Sequence, residues 1–238
     1  MLAATTSPET IHPSLWRASQ LARGVTRCVD TGYAPLSAQL PGGGWPLGSL
    51  TDLLVQQAGI GELRLLRPAF AKSGKRPVAL LQPPHRSNAL AFANWGLPLD
   101  QFLVLNPVRT ADALWSAEQI LKAGTCSMLV FWQNSIRQDS LRRLHVVAQS
   151  SETLFFVVRP LAAAKDSSPA PLRLALRPTA DGLSIDFVKR RGPQGAEPLC
   201  LQLDPTPELL ARKPTPRAVE PKPVPRSAEI IRLREIHT

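Results

Sequence analysis

Apolar residues along this chain gather in short unbroken runs separated by stretches of helical period. Thr51–Gln56 (T-D-L-L-V-Q) predicts a first strand, and the pattern Leu63, Leu66, Phe70 predicts a helix after it. Pro68 falls inside that helix, where it removes a donor and should kink or shorten it. Pro77–Gln82 predicts a second strand, followed by a helix capped by Asn88 and ending before Gly96. Phe102–Asn106 is a third strand. Thr110 then caps a longer helix that turns Ala111, Leu114, Ala117 and Leu121 inward and closes at Gly124. Ser127–Trp132 is a fourth strand, leading into a helix with Leu141, Leu144 and Ala148 inward, and Thr153–Val158 is a fifth. Strands apolar on both faces and alternating with helices predict an α/β fold, a mostly parallel sheet covered on both sides.

The rhythm then changes. Leu172–Arg177 and Leu183–Lys189 flank T-A-D-G and predict a C-terminal β-hairpin, with Leu199–Leu203 as one more edge strand. Ahead of the core, Ser14 caps a helix carrying Leu15, Leu21 and Val25, with Trp16 beside the apolar stripe as an anchor. Behind it, Pro205, Pro207, Pro214, Pro216, Pro221, Pro223 and Pro225 favour extended polyproline chain. Ser227 can cap a short last helix with Ile230, Leu233 and Ile236 on one face. Ten residues do not hold a lone helix in water, so it docks on its own domain or on another protein. The expected organisation is an N-terminal helical arm over 1–35, a core over 36–204 and a Pro-rich basic tail over 205–238.

Charge alters this picture. Lys+Arg 28 against Asp+Glu 18 gives a formal net charge of +10, of which residues 211–238 carry +4. The core is therefore basic without its tail, and a positive field attracts nucleic acid or acidic proteins. Cys28, Cys126 and Cys200 are too scattered for a zinc site or a disulfide framework. No run approaches the roughly 20 apolar residues of a membrane span, and a cytoplasmic, nucleoid-associated chain is expected. His12, His85, His145 and His237 form no catalytic arrangement, and Cys126 is expected as a small core residue.

The first strand runs into Q-Q-A-G-I-G-E-L, and L-P-G-G-G-W-P-L-G-S-L lies upstream. That order of glycine-rich approach, strand, tight turn and helix is the setting of a P-loop. Read against Gly-x-x-x-x-Gly-Lys-Ser/Thr, Gly61 fits the last glycine, and Gly59 stands within the turn. Gln56 replaces the first glycine, Glu62 the lysine and Leu63 the hydroxyl residue. A glutamate repels the phosphates that the lysine would attract, and leucine offers no oxygen to magnesium.

The stretch from about Leu40 to Cys200 resembles the RecA-type recombinase core, carried by P-G-G-G-W-P-L-G-S-L-T-D-L-L, V-A-L-L-Q-P-P-H and W-G-L-P-L-D-Q-F-L-V-L-N-P. T-A-D-A-L-W-S-A-E-Q-I-L-K-A-G-T-C-S-M-L-V-F-W resembles the helix and strand that lead to its magnesium-site aspartate. By that resemblance the aspartate falls on Trp132 and the water-activating glutamate on Pro84, so each polar catalytic position that can be matched is absent. A non-enzymatic chain with no cofactor and no metal follows. I-H-P-S-L-W-R-A and L-P-G-G-G-W-P-L-G look most like the ImuA family of RecA-like, SulA-related accessory proteins. The resemblance implies an adaptor in SOS-inducible translesion DNA synthesis. Its implied partners are a Y-family-like polymerase homologue (ImuB) and an error-prone C-family polymerase, with RecA and DNA as further candidates. Two alternatives stand beside it: a SulA-type cell-division inhibitor binding FtsZ, and a RecA-like ATPase with a displaced site.

The candidate DNA-binding residues are Arg137, Arg142 and Arg143 after the fourth strand, Arg173 and Arg177 on the hairpin, and Lys189, Arg190 and Arg191 at its end. The competing reading of these clusters is a solvated charge run. Leu15, Trp16, Leu21, Ile230, Leu233 and Ile236 are the candidate partner-binding residues. Trp132 either fills the would-be magnesium pocket or is ordinary core.

Overall fold

A computed structural model describes residues 27–72, 74–86, 89–191 and 197–203. The expected helix around Leu15, Trp16 and Leu21, the Asn88 cap, the Pro-rich tail and the terminal helix with Ile230, Leu233 and Ile236 lie outside the described residues. Ten strands and five α-helices alternate in the described chain. They are β1 (Cys28–Val29), α1 (Ala34–Gln39), β2 (Trp45–Pro46), β3 (Ser49–Val55), α2 (Glu62–Ala71), β4 (Val78–Leu81), α3 (Ala89–Asn94) and β5 (Phe102–Leu105), followed by α4 (Thr110–Ala123), β6 (Met128–Trp132), α5 (Gln138–Ala148), β7 (Leu154–Pro160), β8 (Leu172–Pro178), β9 (Gly182–Lys189) and β10 (Leu199–Gln202).

Eight strands form one mixed sheet in the order β10-β9-β8-β3-β7-β6-β4-β5. The six from β8 to β5 run parallel, and β9 and β10 add antiparallel at one edge. The predicted alternation and hairpin are both present. β4 and β6 are buried throughout because each lies between two other strands with helices on both faces. Period-two alternation splits their side chains. Met128, Val130 and Trp132 join the layer beneath α1, α2 and α3, whereas Leu129 and Phe131 join the layer beneath α4 and α5. Each fully buried Leu or Phe contributes about 1.5–3 kcal/mol.

Four expectations are corrected. Residues 27–35 belong to the fold rather than to a helical arm: Cys28 and Val29 pair antiparallel with Pro46 and Trp45. Arg109 takes the N-cap position of the helix after β5 without a side-chain cap, and Thr110 is already helical; Ala113, Ala117 and Leu121 are buried, while Ala111 is exposed. The inward face is thereby shifted at its start. The third strand is not fully buried: among the described residues β5 has β4 as its one strand neighbour, and it exposes Leu103 and Val104. Lastly, the run T-D-L-L-V-Q is not wholly apolar in context, because it buries Asp52 completely.

Asp52 lies in mid-strand and accepts from Arg159 Nη2 at 2.7 Å, Arg173 Nε at 3.0 Å and Ser168 Oγ at 2.8 Å. Both arginines are buried, on β7 and β8, the two strands that flank β3. Burial of three charges is tolerable only with such pairing. Arg173 further donates to the carbonyls of Ala163, Ala164 and Asp166, on and just after the short 3-10 turn Leu161–Lys165.

Pro68 stays inside α2 without ending it. The missing N–H leaves the carbonyl of Arg64 without its helical donor, and Tyr33 Oη donates to that oxygen at 3.0 Å. Gly32 (φ 83°) makes room for the ring: a Cβ there would lie 2.2 Å from Pro68 Cβ. The segment before α1 thus repairs and covers the proline site. Cys126 is buried as expected, and burial pushes its thiol pKa up.

Candidate functional site

The loop from Gln56 to Gly61 joins the carboxyl end of β3 to α2, at the edge where ligands favour parallel sheets. Gly59 (φ 85°) and Gly61 (φ 124°) adopt backbone angles that side chains with a Cβ rarely take. Their conformation turns the backbone N–H groups toward one point at the start of α2. Such a nest at a helix N-terminus attracts an anion.

The anion found there belongs to the chain. Glu62, the first residue of α2 and only 3% exposed, folds back over its own turn. Gly59 N–H donates to both carboxylate oxygens at 2.9 and 3.1 Å, and Gly61 N–H donates at 3.2 Å. Trp132, at the end of β6, adds its indole Nε1–H at 3.3 Å. Glu62 therefore does more than place negative charge beside the turn. It engages the loop donors that a phosphate would require, and the positive end of α2 stabilises it. Leu63 is partly buried and packs on the core beneath α2.

Two clefts open beside Trp132 and Pro84. One, of about 320 Å³, has carboxamides at Gln56, Gln57, Gln82, Gln133 and Asn134. Gln82 is the one non-glycine residue among those described with positive φ, 52°. Its N–H donates to Leu105 O, its side chain donates to Pro107 O, and it accepts from Gln133 Nε2. The other cleft, of about 280 Å³, is apolar and lies between the Gly59–Gly61 turn, Pro83–Arg86 and α3. Gln56, Gly59, Gly61, Glu62, Leu63, Pro84 and Trp132 are thus gathered at one end of the sheet, although they span 77 positions of sequence.

The candidate DNA-binding residues differ in their surroundings. Arg137 and Arg142 are exposed. Arg143 pairs with Glu118 at 3.0 Å. Arg173 is a correction: it is buried under the 3-10 turn, bound to Asp52, and presents no charge to solvent. Arg177 pairs with Asp186 across the hairpin. Lys189 donates to Ser168 O at 3.1 Å, while Arg190 lies over the Phe187 ring at 4.5 Å and donates to Gln39 O at 2.9 Å. Arg191 is exposed and meets His145 of α5 in a small cleft with Ser49 and Gln149. His145 Nδ1 accepts the Leu50 N–H at 3.3 Å. Burial first, then Lys189 and Arg191, push its pKa down. Asp52 and Arg159 were missed by sequence reasoning; a lone acid inside one apolar strand and a lone arginine ending another were the available signal.

Among the described residues, no group of three or more His, Cys, Asp or Glu residues could hold a metal ion. No helix among them is long and apolar enough to cross a membrane.

No protein-family model matches the chain. Among solved structures, SulA from Pseudomonas aeruginosa aligns at 22% identity over 46% of this chain and 97% of that one, with a TM-score of 0.39. The chain is 30% identical over 112 residues, 46% of its length, to the cell division inhibitor SulA of Photorhabdus laumondii subsp. laumondii, and it spans 63% of that relative.

Proposed function

We propose that this chain is a non-catalytic, RecA-like accessory protein of the SOS response, an adaptor in translesion DNA synthesis. It acts by binding a Y-family-like polymerase homologue, with RecA, an error-prone C-family polymerase and DNA as further candidates. The observation that carries this reading is the Glu62 carboxylate seated on the Gly59 and Gly61 N–H groups. The residues present do not fit magnesium–ATP: the loop's donors are engaged, Leu63 has no ligand oxygen, and Trp132 and Pro84 stand where the resemblance places carboxylates. A fold without that chemistry works through surfaces. The open β5 edge with Leu103 and Val104, and Trp115 exposed on α4, offer apolar surface for a protein partner.

A second reading, a SulA-type inhibitor that binds FtsZ, is favoured by the identity to a cell division inhibitor. More than half of this chain lies outside that match, which favours additional binding functions. Affinity-tagged full-length chain separates the two readings. Co-purification with the polymerase homologue and not with FtsZ is expected, and the reverse result replaces the adaptor reading with the inhibitor.

A further inference from the structure

The apolar cleft beside Trp132 has a lining unlike the carboxamide cleft next to it. Pro83, Phe92, Trp95 and Trp132 supply an aromatic and apolar wall. His85 closes one side and sits against Gly59, where a Cβ would lie 3.5 Å from its Nε2. The charges at the mouth are of one sign. Arg64 and Arg86 border the cleft. Arg86 is exposed and has no ion-pair partner among the described residues. Arg64 donates to the Leu203 carbonyl and has no ion-pair partner among the described residues. The lining's one carboxylate, Glu62, is buried and held by three donors.

We propose that this cleft seats a short acidic segment of a partner protein, which inserts one aromatic or branched aliphatic side chain and sets Asp or Glu against Arg86. The apolar wall supplies the anchor pocket, and the cations select the sequence around the anchor. Charge complementarity decides the occupant. Both terminal segments of this chain are net basic, +1 for residues 1–26 and +2 for 204–238, so neither matches the mouth. The proposal rests on the adaptor reading only in taking the occupant to be another protein.

The test titrates full-length chain into fluorescein-labelled Asp-Glu-Asp-Leu-Phe-Asp-Glu, read by fluorescence anisotropy. Two companion peptides carry Ala for Leu and Phe, or Asn and Gln for the acids. Saturable binding in the range of about 10–100 μM is expected, weakened about tenfold or more in both companions. Arg86→Glu, at an exposed position, should weaken the parent peptide by at least as much while the thermal transition stays unchanged; Trp95→Ala should do the same where it remains folded. No binding up to about 1 mM, or equal binding of all three peptides, overturns the proposal. So does self-association in sedimentation that is lost in both Trp115→Ala and Arg86→Glu, because a second copy is then the occupant. Peptide binding that persists where the polymerase pull-down fails supports the cleft and removes only the partner named above.

Discussion

The indole nitrogen of Trp132 at the end of β6 lies 3.3 Å from the carboxylate of Glu62 at the start of α2, in a buried contact. This hydrogen bond ties the turn after β3 to a strand two places away in the sheet. Both side chains are large and polar at one tip, and each satisfies the other where water is excluded. Trp132→Phe keeps most of the ring and removes the donor. A loss of about 1–3 kcal/mol in urea unfolding is expected, because the hydrogen bond is to a buried carboxylate. An unchanged unfolding midpoint would mean that the contact contributes nothing.

Asp52 binds two buried arginines, so the three are not equivalent. Asp52→Asn leaves the Arg173 guanidinium without a carboxylate partner and Arg159 with Asp166 alone, at 3.8 Å, and should cost about 3–5 kcal/mol. Arg173→Met leaves a one-to-one Asp52–Arg159 pair and should cost less. Equilibrium denaturation of both variants checks the order, and a milder Asp52→Asn would refute the charge argument.

Tyr33 and Pro68 should be energetically coupled. Tyr33→Phe strands the Arg64 carbonyl and costs about 1 kcal/mol. Pro68→Ala restores the helical N–H, so the same tyrosine change in that background should cost markedly less. A double-mutant cycle measures the difference. Equal costs in both backgrounds would show that Pro68 does not create the need for Tyr33.

His145 links stability to pH. Its folded pKa is lowered from the ordinary value of 6.5, by burial and then by Lys189 and Arg191. The unfolded chain therefore binds the proton more readily. This histidine leaves stability unaffected above about pH 7 and lowers it as pH falls through about 6.5. Protonation also sets an N–H against the Leu50 N–H that Nδ1 now accepts. His145→Asn retains an acceptor without the titration, so its thermal midpoint should vary less between pH 7.5 and 5.5. An identical pH profile for both chains would count against this coupling.

The sheet was legible because buried parallel strands are unbroken apolar runs, as in Val78–Leu81 and Met128–Trp132. The face of α5 was legible from Leu141, Leu144 and Ala148, all three of which are buried. Arg173 was not, because the segment that covers it, Leu161–Lys165, carries no periodic signal and supplies backbone carbonyls, which composition does not record. Asp52 was hidden for a related reason: its partners lie 107 and 121 positions away. At the loop, the sequence singled out Gly59, Gly61 and Glu62 as neighbours, and it read Glu62 only as repulsion. The fold-back of its carboxylate depends on the backbone angles of Gly59 and Gly61 and on Trp132, 70 positions on. Backbone conformation and tertiary partners, rather than periodic pattern, decide all three.

Whether Glu62 permanently fills the place of a phosphate is tested most directly by isothermal titration of ATP with magnesium into the full-length chain. No saturable heat is expected at any attainable nucleotide concentration, since Gly59 and Gly61 already donate to the carboxylate. Micromolar, saturable binding that Gly61→Ala abolishes would contradict it, because the side chain would then have to leave the nest to admit the ligand.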